Sequence, residues 1–202
     1  FIEGADIHRR TASEVFGVPF DEVTSEMRSA AKAVNFGIVY GISDFGLARQ
    51  LGISRKEAAR YIELYFMRYP GVHTYLKGCV ERAKQQGAAT TLFGRRREMP
   101  ELKSSNYNTR SFGERVAMNM PIQGTAADII KLAMVRVHNE LKARGMKSEL
   151  ILQIHDELII DAVQEEADAA AKILKSCMEN VVNLKVPLLA EVHTGHSWFD
   201  TK

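Results

Sequence analysis

Two basic and two aromatic residues recur at intervals of four in the segment "RSAAKAVNFGIVYG", namely Arg28, Lys32, Phe36 and Tyr40. Residues four apart lie on one face of a helix, so this spacing predicts a slowly winding stripe with its cations toward the N-terminus. A bound anion would offset the unfavourable position of cations there. A triphosphate against Arg28 and Lys32, with its sugar or base against the two rings, fits the order. The alternative is an amphipathic helix with solvated cations and buried aromatic rings.

A second cluster is the polar triplet His155-Asp156-Glu157, which separates two apolar runs in "LILQIHDELII". Two adjacent carboxylates at the link between strands can hold a hard divalent cation, with Mg²⁺ the most suitable. A plain polar turn is the alternative, because Asp and Glu are common in turns. A His-Asp pair is also typical of metal phosphohydrolases. Those enzymes need further His ligands, and the other five histidines show no matching motif.

The segment "NMPIQGTAADIIK" contains Asn119 and Gln123, and Arg115 precedes it. These three polar residues are spaced four apart. Such groups can contact base edges or sugars. Equally, Gln123 could satisfy backbone groups that Pro121 leaves without a partner. The run Arg95-Arg96-Arg97 suits either phosphate contacts or a solvated loop.

Helices predominate in the first two thirds of the chain, and β-rich runs follow. Capping residues and apolar periodicity predict helices over about 6–16, 24–40, 43–51, 54–69, 106–119, 125–144 and 165–182. Pro70-Gly71 is expected to break the chain, and another helix after it reaches about residue 86. Pro121 is expected to interrupt the chain, and Thr125 and Asp128 resemble the capping box of the next helix. "ELILQI" and "ELIIDAV" predict an antiparallel hairpin, and "PLLAEVHTG" predicts a last strand. This order indicates an α+β fold with a subdomain boundary near residue 131.

The composition favours a cytoplasmic protein. Its charge distribution fits either a polyanion-binding surface beside a cation-binding site or an ordinary solvated surface, and charge alone favours the solvated surface. Residues 1–131 contain 19 Lys and Arg against 14 Asp and Glu, a balance of +5, whereas residues 132–202 contain 8 against 11, a balance of −3. No apolar run reaches the ~18 residues that a membrane span requires. Cys79 and Cys177 fit reduced thiols. The opening "FIEGAD" lacks an initiator Met, so we expect a piece of a longer protein.

Taken together and in this order, these segments resemble family A DNA polymerases over nearly the whole chain. "RSAAKAVNFGIVYG" is similar to the family's fingers motif, motif B, and "QIHDE" is similar to its palm motif C. "ADIHRRTA", "TLFGRRR" and "NMPIQGTAADIIK" also resemble family segments. The resemblance implies a helix-rich fingers subdomain with flanking palm helices over residues 1–131. Residues 132–202 would then be the C-terminal part of an antiparallel palm sheet, with motif C on its hairpin.

The resemblance also implies roles for the residues of the stripe. Arg28 and Lys32 would bind the phosphates of an incoming deoxynucleoside triphosphate, with help from His8. Phe36 would pack on the nucleotide's sugar and base. Tyr40 would occupy the template-base position when the fingers are open.

A second set of roles concerns primer–template DNA and the metal. The residues that would contact the nascent duplex near the primer end are Arg115, Asn119 and Gln123. His155 would contact the primer strand. Asp156 would bind the catalytic Mg²⁺ ions, and Glu157 would have a lesser catalytic role nearby.

One family segment is not found in the 202 residues. Motif A, a D-Y-S-x-I-E-x-R strand, should precede "FIEGADIH" and carries the second metal-bridging aspartate. Two-metal phosphoryl transfer needs carboxylates that hold both ions. We therefore expect the complete enzyme to add deoxynucleotides to a primer 3′-OH, and the chain alone, without its N-terminal partner segment, to be inactive.

Two other functions remain open from the sequence. "GLARQLGISRKEAARYI" resembles a helix-turn-helix, which would make the chain a non-enzymatic DNA-binding module. A His-Asp metal phosphohydrolase is the other alternative. The helix-turn-helix interpretation leaves the stripe and the His155-Asp156 hairpin without a role.

Overall fold

The computed structural model describes residues 4–201. These residues divide between Gly124 and Thr125 into two compact units. The described residues contain seven α-helices and two separate two-stranded antiparallel sheets. No helix among these residues has the length and apolarity needed to cross a membrane.

Five helices begin the first unit: α1 Ile7–Phe16, α2 Ser25–Val39, α3 Asp44–Leu51, α4 Arg55–Arg68 and α5 Pro70–Gln86. The start of α2 and the end of α1 follow local capping chemistry, as the sequence predicted, whereas α5 begins at Pro70, inside the predicted break, without a side-chain cap. The side chain of Thr24 accepts a hydrogen bond from the backbone N–H of Met27 at the start of α2. Gly17 ends α1 in the left-handed conformation, with φ of 69°.

The core of the first unit decides which face of α2 is buried. Val34 and Ile38 of α2 pack in an apolar cluster with Leu47 of α3 and Tyr65 of α4. Val34 is fully buried and Ile38 is 3% exposed. The opposite face of α2 therefore remains at the surface.

A small hairpin follows α5. Strand β1, Ala88–Thr90, pairs antiparallel with β2, Arg96–Glu98. Two of the three arginines expected in a loop thus lie in a strand. Arg96 is bonded within the protein, because its Nε is 2.8 Å from Glu98 Oε1 and its Nη2 is 3.1 Å from the Gln86 carbonyl oxygen.

Helix α6 spans Tyr107–Ala143 without a break, with Pro121 inside it. The predicted interruption at Pro121 and the predicted capping box at Thr125 and Asp128 are therefore wrong. A proline in a helix interior costs roughly 3 kcal/mol. Burial on both sides of the proline offsets that cost, since Ala117 and Val137 of α6 are each fully buried.

The second unit contains the predicted hairpin. Strand β3, Glu149–Ile154, pairs antiparallel with β4, Glu157–Asp161, with an irregularity between Leu150 and Leu152. Helix α7, Ala167–Glu179, follows a short 3₁₀ turn over Gln164–Glu166. Leu158 of β4 packs with Ile173 of α7 and with Val137 of α6.

"PLLAEVHTG", residues 187–195, forms no strand, so that prediction is also wrong. A strand needs a neighbour for its backbone hydrogen bonds, and the described residues contain only the two hairpins. Instead, the backbone N–H of Ala190 donates to Glu179 Oε1 at 3.1 Å. The fold is a helix-rich chain with two small antiparallel hairpins, which agrees with the α+β expectation at that level.

Candidate functional site

The outer face of α2 presents the predicted stripe to solvent. Arg28 and Lys32 are exposed, and Phe36 and Tyr40 are 51% and 50% exposed. The alternative of an ordinary helix with buried aromatic rings is therefore wrong. Lys32 Nζ lies 6.0 Å from the centre of the Phe36 ring, which places a cation directly beside an open aromatic face.

Arg28 has a partner that the sequence did not indicate. Its Nε lies 2.6 Å from Asp6 Oδ2. Asp6 also caps α1, because its Oδ1 accepts hydrogen bonds from the backbone N–H groups of His8 and Arg9. The bond from Arg28 is the main cause that lowers the pKa of Asp6, and the backbone N–H of Arg9 adds to it.

Lys32 is more available than Arg28. No carboxylate in residues 4–201 lies within ion-pair distance of its ammonium group. A lysine with a free ammonium group at an exposed position can bind an external anion without first breaking a bond inside the protein.

His8 of α1 lies beside the stripe, with its ring centre 5.8 Å from that of Phe36. Its Nδ1 is 3.0 Å from the side-chain nitrogen of Asn35. Partial burial lowers the pKa of His8, and the positive charges of Arg28 and Lys32 lower it further. A neutral imidazole, a cation and an aromatic ring therefore share one open face.

Gly41, which follows the C-terminal end of α2, packs closely against α6. Its φ is 67°, and a Cβ there would lie 2.7 Å from Met118 Cε and 2.9 Å from Arg115 Cγ. A side chain at this position would be strained and would also collide with α6. The absence of a side chain at Gly41 therefore allows the backbone just after α2 to lie close to the part of α6 that carries Arg115.

The three polar residues predicted to contact DNA lie four apart on α6. Arg115 and Gln123 are exposed, and Asn119 is partly buried. Arg115 Nη1 donates to Ser111 Oγ at 3.1 Å. The Gln123 side chain makes no hydrogen bond within the described part of the chain. It therefore does not satisfy the backbone around Pro121, which was the alternative.

In the second unit, His155 and Asp156 form the two-residue turn between β3 and β4, since Ile154 pairs with Glu157. His155 has φ of 52°, the one positive value among non-glycine residues in the described range. Such a conformation is costly for a residue with a side chain and is often found at functional sites. The Gln153 side chain donates to the His155 carbonyl oxygen at 2.7 Å, which supports the turn.

Asp156 and Glu157 are both exposed and supply oxygen ligands of the kind Mg²⁺ prefers. Trp198 Nε1 donates to Glu157 Oε2 at 3.3 Å, so Glu157 is partly engaged. No group of three or more His, Cys, Asp or Glu residues that could hold a metal occurs between residues 4 and 201. The turn thus supplies two carboxylates of the kind that suits part of a metal site.

The sequence predicted the stripe and the turn, but it did not predict Asp6 and Asn35. Asp6 was expected only as the first residue of a helix, and Asn35 was not distinguished from its neighbours in "RSAAKAVNFGIVYG". The contacts of both side chains join α1 to α2. Those contacts depend on how the two helices pack, and the sequence pattern of a single helix does not predict them.

Comparison with known proteins gives a consistent result. The family model for DNA polymerase family A matches residues 1–200. Over all 202 residues the chain is 57% identical to DNA polymerase I of Caldicellulosiruptor bescii and 53% identical to DNA polymerase I of Bacillus caldotenax. It covers 24% and 23% of those two proteins, so it spans about a quarter of their length.

A solved structure is similar to almost the whole chain. It is the polymerase domain of Pol1 from M. smegmatis, in complex with DNA primer-template and dNTP. The TM-score is 0.93 at 45% sequence identity, and the match covers 98% of this chain and 35% of that one.

Proposed function

Because the chain belongs to DNA polymerase family A, we propose that it forms the nucleotide-binding part and some of the metal-binding part of a template-directed DNA polymerase. Residues 1–131 would be the fingers with flanking palm helices, and residues 132–202 the C-terminal part of the palm. The division of the structure into units falls inside α6, slightly before that boundary.

The observation that carries this proposal is the exposed face of α2. Lys32, with no ion pair among the described residues, lies beside the half-exposed Phe36 ring, and His8 approaches the same ring. A triphosphate needs cations and hydrogen-bond donors, and a sugar or base needs an apolar surface. Lys32, Arg28 and His8 would contact the phosphates, and Phe36 would pack against the sugar and base.

Tyr40 and the exposed residues of α6 would contact the nucleic acid. Tyr40 would lie at the template-base position in the open fingers. The residues that would contact the duplex near the primer end are Arg115, Asn119 and Gln123, and His155 would contact the primer strand. The M. smegmatis protein is similar over this whole region and was solved with DNA primer-template and dNTP.

Family A polymerases use divalent metal ions, and Asp156 would be one of the ligands, with Glu157 in a lesser role. When bound, Mg²⁺ would neutralise developing charge on the transferring phosphoryl group. The chain's own residues would align the reactants: Lys32 and His8 would fix the triphosphate, and His155 the primer. The described residues supply only part of the metal site, so the remaining ligands would come from the rest of the polymerase. We place this activity in the bacterial cytoplasm, in DNA replication and repair.

Nucleotide binding by Lys32 tests the proposal. The assay is dNTP binding and primer extension by a chimeric polymerase, in which residues 1–202 replace the matching 202 residues of the Caldicellulosiruptor bescii enzyme. We expect Lys32→Ala to lower kcat/KM about 10- to 150-fold for all four dNTPs, because a charge-assisted contact is lost.

The matched control is Lys56→Ala, which removes an exposed lysine of α4 away from the stripe and should leave kcat/KM unchanged. Equal losses in both variants would contradict a specific phosphate contact. The other two functions have distinct signatures. Sequence-specific protection of duplex DNA would indicate a helix-turn-helix module built on α3 and α4. Release of phosphate without a primer would indicate a phosphohydrolase.

A further inference from the structure

Asn35 lies on α2 between Lys32 and Phe36, and its side chain reaches across to α1. Its Nδ2 is 3.0 Å from His8 Nδ1 and 3.2 Å from Thr11 Oγ1. The Thr11 hydroxyl, which is fully buried, also donates to Asn35 Oδ1 at 3.2 Å. Asn35 is therefore held by a residue of the core on one side and contacts the candidate phosphate-binding histidine on the other.

The chemistry of these groups assigns the proton on His8. In the observed orientation of the Asn35 amide its nitrogen faces His8, and since an amide nitrogen only donates, His8 Nδ1 is the acceptor. A neutral imidazole with an unprotonated Nδ1 carries its proton on Nε2. The ring nitrogen that does not contact Asn35 is then a hydrogen-bond donor.

We propose that Asn35 is a positioning residue that holds His8 in the Nε2–H tautomer, so that His8 donates a hydrogen bond to a phosphate oxygen of the nucleotide. The hydrogen bond from His8 to a phosphate oxygen rests on the proposed function, whereas the assignment of the tautomer does not. In the opposite tautomer, Nε2 would carry a lone pair, which an ionised phosphate cannot complement.

The charges around His8 favour the same state. The groups that face it are Asp6 on its own helix and Arg28 and Lys32 on α2. Burial and the two cations lower the pKa of His8, and Asp6 opposes them. Protonation of His8 at Nδ1 would also place an N–H donor opposite the N–H₂ group of Asn35, so that two donors would face each other. His8 is thus a neutral donor near neutral pH, and Lys32 supplies the positive charge.

The tautomer is measured by NMR of the 202-residue chain with ¹⁵N-labelled histidines, using His8→Gln to assign the His8 signals among those of the six histidines. We expect a single tautomer with Nδ1 unprotonated. An Nδ1–H tautomer, a doubly protonated ring or an averaged mixture at neutral pH overturns the proposal. Asn35→Leu should convert the signals to a mixture. Ser29→Ala, a change of an exposed residue on the same helix, should not alter them.

A double-mutant cycle on dNTP affinity tests whether Asn35 acts through His8. Asn35→Leu should weaken dNTP binding about 3- to 10-fold in the wild-type chain and have almost no effect in the His8→Gln background. Equal losses in both backgrounds would mean that Asn35 acts by another route. Absence of dNTP binding by a chain with the expected tautomer would refute the nucleotide site and leave the role of Asn35 intact.

Discussion

The guanidinium of Arg28 and the carboxylate of Asp6 are 2.6 Å apart, and this ion pair joins the N-terminal ends of α2 and α1. The same carboxylate caps α1 at the backbone N–H of His8. Asp6 therefore fixes the turn of helix that carries His8 relative to the stripe on α2. Because Arg28 is already paired inside the protein, we expect it to contribute less to phosphate binding than Lys32.

The Asp6–Arg28 pair should make stability depend on pH in the acid range. Asp6→Asn keeps a residue that can cap a helix but removes the ion pair. The folded-state pKa of Asp6 lies below its ordinary value. The stabilisation that ionised Asp6 provides is therefore fully present at pH values above its ordinary pKa. It is lost as the pH falls through the lowered pKa of the folded state. Melting temperatures of wild type and Asp6→Asn should differ at neutral pH and converge in acid. Asp21→Asn, at an exposed position, is the control for the exchange of a surface carboxylate and should leave the melting temperature at neutral pH close to that of wild type.

A second carboxylate, Glu14, joins α1 to α4. It accepts a hydrogen bond from the Tyr69 hydroxyl at 2.6 Å and lies 2.9 Å from Arg68 Nε, with its side chain 18% exposed. Burial raises the pKa of Glu14, but the bonds from Tyr69 and Arg68 outweigh burial, and the net pKa is lowered. Glu14→Ala should reduce the free energy of unfolding by about 1–3 kcal/mol, since the partly buried Tyr69 hydroxyl loses its acceptor.

Chemical denaturation with Tyr69→Phe as the second variant tests the contact. The loss in the double variant should be smaller than the sum of the two single losses, because the two side chains share one bond. Glu63→Gln, at an exposed position on α4, is the control and should leave the free energy of unfolding almost unchanged. Strict additivity would show that Glu14 and Tyr69 do not interact.

Features set by neighbouring residues were predictable from the sequence. Thr24 begins α2 and Gly17 ends α1, because a cap needs only the adjacent backbone groups. The β3–β4 hairpin follows in the same way from two apolar runs with a two-residue link. The stripe on α2 was predictable from spacing, but its exposure was not. That depended on Val34 and Ile38 packing into the core.

The wrong predictions concern features decided by distant parts of the chain. Pro121 lies inside α6 because tertiary burial outweighs the local cost of a proline. Residues 187–195 have a strand-like composition, but no described strand pairs with them. Asn35 could not be distinguished from its neighbours by the helix pattern. Its role depends on the contact with His8, which only the packing of α1 on α2 creates.

The 202-residue chain alone should show no templated primer extension with Mg²⁺ and dNTPs. Two-metal phosphoryl transfer requires carboxylates on both ions, and no set of three or more metal-ligand side chains comes together in the described residues. The measurement is extension of a labelled primer by the purified chain, with the chimeric polymerase as the positive control. Templated extension that persists after removal of any host polymerase would contradict the expectation.

Asp156 and Glu157 should differ in their effects on catalysis. In the chimeric polymerase, Asp156→Ala should lower kcat by several orders of magnitude and leave primer–template affinity nearly unchanged, because a metal ligand acts on the transition state. Glu157→Ala should cost distinctly less, since Glu157 is partly engaged by Trp198. Single-turnover rates and DNA titrations separate the two effects. Similar losses of kcat, or a large loss of DNA affinity, would mean that the two roles are assigned incorrectly.

Phe36 should determine how the polymerase treats a nucleotide that lacks a 3′-OH. The Phe36 ring carries no polar atom. Nothing on it can therefore replace the 3′-OH that a dideoxynucleotide lacks, and the alignment that this hydroxyl gives to a dNTP is lost. Phe36→Tyr adds a phenolic OH that can partly replace that group, and we expect a higher ratio of ddNTP to dNTP incorporation by the chimeric polymerase, with normal incorporation little changed. Because Phe36 is 51% exposed, the new hydroxyl remains hydrated and the melting temperature should be unchanged. Tyr75→Phe, at a half-exposed position on α5, is the control for an aromatic exchange outside the stripe. An unchanged ratio together with a clear fall in melting temperature would exclude Phe36 from the nucleotide site.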